Sequence, residues 1–140
     1  METAFIANIK NARAIVGGKI TIPVDDDIQD LAEDSVNRLN TKHVKENGYL
    51  WVATKVLHAE SQVVAGRLVN LEVQVHESLC HKKHEQTVVD VSANECPPAD
   101  GGRTGTCRFR IWQKPWENNF QEILVIDCKD SDDRSLVAGL

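Results

Sequence analysis

The sequence predicts an α+β fold, in which an antiparallel sheet of four to five strands packs on one long helix. Three observations predict it. One stretch carries apolar residues at helical spacing. From about Leu50 onward the apolar period changes to two. Short turn-forming segments then separate the alternating runs, so that neighbouring strands run antiparallel.

Residues 1–24 show no strong period. Ala14 to Ile22, AIVGGKITI, is apolar with Gly17-Gly18 at its centre, a pair that argues against a regular element there. Asp25 to Asn40 reads as the helix. Pro23 precedes it, and Asp25, Asp26 and Asp27 place negative charge at the end the helix dipole favours. Ile28, Leu31, Ala32, Ser35, Val36 and Leu39 form one stripe, while Asp27, Asp30, Glu33, Asp34, Asn37 and Arg38 face away. The aspartates fit helix-start charge better than a cation site.

In the first strand Leu50, Val52, Thr54 and Val56 alternate with Trp51, Ala53, Lys55 and Leu57. In the second, Val69, Leu71, Val73 and Val75 alternate with polar residues. The third sets Phe109 and Ile111 against Arg108, Arg110 and Trp112. The fourth runs from Phe120 to Ile126 with both faces partly apolar. Gln62 to Gly66 (QVVAG) joins the first pair of strands, and Lys114 to Asn119 (KPWENN) joins the second. His81 to Gly105 is richer in Pro, Gly and polar residues and reads as a loop region.

A length of 140 residues suits one domain, large enough to bury roughly 70% of its unfolded surface. The net charge of -5 argues against a nucleic-acid partner, which requires a basic field. No apolar run approaches the roughly 20 residues of a membrane span. Met1 to Arg13 lacks the apolar core of a signal peptide, so the chain is either cytosolic or a processed or excised piece. Cys80, Cys96, Cys107 and Cys128 lack the close pairs of a zinc site and leave three disulfide connectivities open. The nearest-neighbour scheme closes two modest loops, each stabilising by about 3 kcal/mol when unstrained. Four buried free thiols are the alternative, and the disulfide reading favours an oxidising compartment. The lysines of Cys80-His81-Lys82-Lys83-His84 repel cations, so no metal or other cofactor is expected. Ser35, Ser61 and Ser78 have no evident His/Asp partners, and an enzyme is not expected. There is no Asn-x-Ser/Thr acceptor.

Four features in one order resemble the type 2 cystatins. They are a glycine in an apolar arm (Ile15 to Gly18, IVGG), a single helix, QVVAG at 62–66 against the family's Gln-x-Val-x-Gly loop, and Pro115-Trp116 between two strands that each carry a cysteine. The four cysteines also stand where that family places two disulfides. QVVAG alone could be a strand-end turn, and Pro-Trp alone a turn whose tryptophan half covers the core. Together, at these spacings, they are specific. The resemblance covers about residues 14–129, leaving 1–13 as an N-terminal extension and 130–140 as a tail or linker. The chain departs from the family in a long Cys80–Cys96 loop and in Lys19, where proline is frequent.

The resemblance implies a sheet wrapped around the helix and a secreted, reversible, tight-binding competitive inhibitor of papain-like cysteine proteases of the cathepsin type. Such an inhibitor fills the narrow cleft above the catalytic Cys–His pair. Ile15 and Val16 would take non-primed subsites, and Gly17 would turn the chain away from the nucleophile. Gln62, Val63, Val64, Ala65 and Gly66 would form a tight apolar hairpin, and Pro115 and Trp116 a second contact of the kind enriched in binding hot spots. The alternative is a non-inhibitory extracellular binding module on the same fold. Some members also inhibit the asparagine-specific protease legumain through an asparagine after the helix. Here the comparable residue is Asn47, with different neighbours and in an Asn-Gly turn signal. A monomer is expected, with hairpin exchange as a route to a swapped dimer. Finally, Arg134 to Gly139 (RSLVAG) resembles Arg13 to Gly18 (RAIVGG) 121 positions earlier, close to one domain length. This motivates the expectation of one module from a tandem precursor.

Overall fold

The computed structural model describes residues 18–140. Chain order gives β1 (Lys19–Thr21), α1 (Asp26–His43), β2 (Tyr49–Val64), β3 (Gly66–His81), β4 (Thr104–Lys114) and β5 (Phe120–Lys129). The five strands form one antiparallel sheet in sequence order, as hairpin connections dictate, with α1 packed on one face.

The start of α1 follows its aspartates. Asp25 is the N-cap, its side chain accepting the Ile28 N–H at 2.9 Å, and Asp26 and Asp27 fill the first turn. Ile28, Leu31, Ala32, Ser35, Val36 and Leu39 are buried, as their spacing predicts. The helix runs past Asn40 to His43 because a side chain distant in sequence completes its end. Lys82, only 9% exposed, donates from Nζ to the carbonyls of Asn40 (3.0 Å), Thr41 (2.8 Å) and Val44 (2.8 Å). A cation with three donors there satisfies orphan carbonyls and complements the dipole.

Asn37, expected on the outer face, is buried. Its Nδ2 donates to the Val91 carbonyl at 2.9 Å, and its Oδ1 accepts the Val91 N–H at 3.2 Å. The Thr41 hydroxyl accepts the Val89 N–H at 3.0 Å. The segment after β3 crosses the helix here. Having no strand partner, its backbone takes side-chain partners instead.

The period-two reading holds in β3, where Val69, Leu71, Val73 and Val75 are buried, and in β4, where Cys107, Phe109 and Ile111 are. It fails in β2. Leu50, Trp51 and Val52 are buried in succession, and the register shifts between Tyr49 and Trp51, Ala53 and Lys55, and Val56 and His58. Each irregularity resets which face a residue meets. At the first of them Asn40 on α1 pairs with both backbone groups of Trp51 at 2.8 Å. β5 is an edge strand, which accounts for its half-exposed faces. The core lies between helix and sheet, where Leu39, Val36, Trp51, Phe109 and Ile111 are almost wholly enclosed. Each such side chain contributes about 1.5–3 kcal/mol on burial.

The glycine pair did not exclude structure at the start. Lys19, Ile20 and Thr21 pair with Gln62, Ser61 and Glu60, because the edge of β2 supplies hydrogen bonds that local propensity does not. Of the three connectivities, the structure has Cys80–Cys96 and Cys107–Cys128. The second joins directly opposed residues of β4 and β5, and the first ties the end of β3 to the crossing segment. Residues 130–140, read as a tail or linker, open with a turn in which Asp130 Oδ1 accepts the Asp132 and Arg134 N–H groups. The turn delivers Leu136, 5% exposed, into the core, where its N–H donates to the Cys128 carbonyl at 2.9 Å. Among the described residues no helix is long and apolar enough to cross a membrane.

Candidate functional site

Antiparallel order brings the β2–β3 and β4–β5 hairpin tips to the same end of the sheet. Val64 opposes Gly66 across the first tip, Arg67 opposes Gln113 between the hairpins, and Lys114 opposes Phe120 at the base of the second. Gln62 to Gly66 and Pro115-Trp116 are therefore neighbours, although about fifty residues separate them in the chain. Lys19 opposes Gln62, so Gly18 lies at this end too. Ile15, Val16 and Gly17 lie outside the described residues.

The first tip needs its glycine for two reasons. Gly66 has φ +95°, a region unfavourable to residues with a Cβ. A Cβ there would also run into the Gln113 carbonyl oxygen and stand 3.3 Å from Trp112 Nε1. Adjacent backbones can close only at a residue without a side chain. Val63, 42% exposed, and the exposed Ala65 give this tip an apolar outer surface.

The second tip spans the exposed Pro115 to Asn119. The Glu117 N–H donates to the Lys114 carbonyl, and the Phe120 N–H to the Glu117 carbonyl, both at 3.0 Å. Asn118 and Asn119 take φ of 52° and 57°, which asparagine tolerates better than most residues. The turn stands Trp116 out at 64% exposure. Residues 62–66 and 115–119 contain no histidine, serine or cysteine, so these tips hold no Ser–His or Cys–His pair.

One part of the site escaped the sequence reading. Trp112, read there only as the alternate face of a strand, donates its indole N–H to the Ala65 carbonyl at 2.8 Å. Lys114 Nζ stands 4.1 Å from the centroid of that ring and 4.8 Å from that of Phe120, and the two rings meet edge-on at 6.2 Å. A tryptophan beside a hairpin tip, with a polar group to place, was the available signal.

Asn47 lies elsewhere. It sits in the turn after α1, at the opposite end of the sheet, exposed and with φ 68°. Its N–H donates to the Lys82 carbonyl at 2.9 Å, and its carbonyl meets His81 Nδ1 at 2.9 Å.

A family profile described as the cystatin domain matches residues 17–116, most of the chain, including the first hairpin tip and Pro115-Trp116 of the second. The chain belongs to the cystatin family. Cystatins as a family inhibit cysteine proteases and are not enzymes. Cystatin cpi-1 of Caenorhabditis elegans is 41% identical over 87 residues, which span 62% of this chain and 61% of that protein. The cystatin of Notechis scutatus scutatus is 32% identical over 123 residues, covering 86% and 85% of the two chains. Among solved structures, Al-CPI superposes with a TM-score of 0.68 at 34% identity, covering 82% of this cystatin and 100% of that chain. The salivary cystatin of the soft tick Ornithodoros moubata gives 0.66 at 26% identity, over 82% and 99%. Both share this cystatin's α+β architecture.

Proposed function

We propose that this cystatin is a tight, reversible, competitive inhibitor of papain-like cysteine proteases of the cathepsin type. Its inhibitory domain is of type 2 and spans residues 14–129. The supporting observation is that Val63 and Trp116, both exposed, stand on adjacent tips at one end of the sheet. Tips of this shape enter a narrow cleft with small apolar side chains and one large aromatic contact. Gly66 fixes the first tip and Pro115 limits the entropy lost at the second. Ile15 and Val16 occupy the non-primed subsites, and Gly17 carries the chain past the nucleophile. The mechanism is occlusion, with no covalent step. The two disulfides support an extracellular site of action. Legumain through Asn47 is the less favoured partner, since that residue's left-handed backbone and engaged peptide groups already serve the turn after the helix.

Titration of papain tests the reading. The wild-type protein should inhibit at low concentration. Trp116→Ala combined with truncation before Gly17 should weaken binding by several kcal/mol, as loss of hot-spot contacts does, at an unchanged melting temperature. Undiminished inhibition by that variant would reject the wedge. A wild-type protein without effect on papain would select the non-inhibitory binding module.

A further inference from the structure

We infer that Trp112 is a positioning residue for protease binding, which tethers the first hairpin tip and couples it to the second. The inference rests on the inhibitor reading above and concerns a residue outside the three contact segments.

The tip Val64-Ala65-Gly66 is joined to the sheet on one side by β2 and on the other by β3. The Trp112 indole reaches it from β4, across β3, and takes the Ala65 carbonyl at 2.8 Å. That carbonyl sits at the apex, where the ladder provides no opposing N–H; the register runs Val64 to Gly66 with Ala65 between them. Trp112 is in turn held by Lys114 over its face and by the edge of Phe120, the two residues that close the second tip. One side chain therefore connects both tips, with its own rotamer fixed by the base of the second. A loop that must dock in one shape loses affinity in proportion to the shapes it can otherwise adopt. Trp112 reduces those shapes before the protease arrives, without itself projecting from the edge.

Trp112→Phe tests this, because it keeps a ring against Lys114 and Phe120 while removing the donor along with part of the indole's area. The melting temperature should stay close to wild type. Inhibition of papain should weaken roughly 3- to 10-fold, as loss of one hydrogen bond predicts, chiefly through faster dissociation. Double-mutant cycles supply the readout that a merely structural role would not move. Trp112→Phe should be non-additive with Val63→Ala on the tethered tip, and additive with truncation before Gly17. Wild-type affinity in Trp112→Phe, or equal additivity with both partners, would overturn the tether while leaving the inhibitor reading intact. A wild-type protein that fails to inhibit papain would overturn both.

Discussion

Lys82 illustrates how a single side chain can set the length of an element. A lysine among polar neighbours reads as solvated, yet this one is enclosed, its three donors spent on three carbonyls at the end of α1. Replacing it with Lys82→Met keeps the volume and leaves those carbonyls unpaired. The expected loss is about 2–4 kcal/mol in chemical denaturation, with fraying after Asn40 visible as faster amide exchange there. Gly66 is the second such position. Gly66→Ala combines a left-handed backbone with collision against the Gln113 carbonyl. It should destabilise by about 1–3 kcal/mol and, by displacing the tip, weaken papain inhibition more than its effect on stability would suggest. An alanine variant that inhibits like wild type would show that tip geometry is not limiting.

Between elements, charge pairs and disulfides add to what the hydrogen-bond ladders hold. Across β4 and β5, Arg108 Nε donates to Asp127 Oδ1 at 3.0 Å, and this bond holds the Asp127 carboxyl below its ordinary value of 3.8. A depressed carboxyl contributes stability that is present above about pH 4 and is lost as pH falls through its lower folded value. Asp127→Asn should therefore be less stable than wild type at neutral pH, by about 0.5–1 kcal/mol for so exposed a partner. The two denaturation curves should converge at acid pH. Glu33 and Asp34 act in the opposite sense. Burial raises both, neighbouring acids add to it, and a hydrogen bond with Gln121 offsets part of it at Asp34, so acid relieves a strain on the helix surface that neutral pH imposes. Comparing Asp127→Asn with wild type cancels that contribution. The Cys80–Cys96 bridge closes an irregular segment whose backbone leans on Asn37 and Thr41. Its removal in the Cys80→Ala, Cys96→Ala double variant should lower stability by about 3 kcal/mol.

At the scale of the whole molecule, the two ends of the sheet serve different purposes. One end carries both hairpin tips. The other carries the Asn47 turn, the capped end of α1 and the Cys80–Cys96 bridge. The strands between them are 10 to 16 residues long in β2 to β5, so the ends are separated by the length of the core. Loosening the bridge should therefore leave the tips in place. The Cys80→Ala, Cys96→Ala variant should inhibit papain like wild type at temperatures where it remains folded. A large loss of affinity in the folded variant would show that the ends communicate.

Much of this was legible in the sequence because it is local or repetitive. The helix start follows from Pro23 and three aspartates, and its buried stripe from 3.6-residue spacing. β3 and β4 follow from alternation, and the two tips from Gln62 to Gly66 and Pro115-Trp116. What stayed hidden involves partners distant in the chain. Trp51 is buried beside Leu50 and Val52 because a bulge, held by Asn40, breaks the period that face assignment relies on. Asn37 turns inward for Val91, Leu136 enters the core from a polar tail, and β1 forms only because β2 offers an edge. Trp112 reads as one more aromatic on a strand until the sheet sets it beside the Ala65 carbonyl. The sequence by itself determined where the helix starts, the β2 to β5 runs and the two tips, since those depend on the spacing of neighbours. Only the tertiary structure decided which buried polar groups meet and how the two tips are locked together, since a hydrogen-bond partner can come from anywhere the fold brings close.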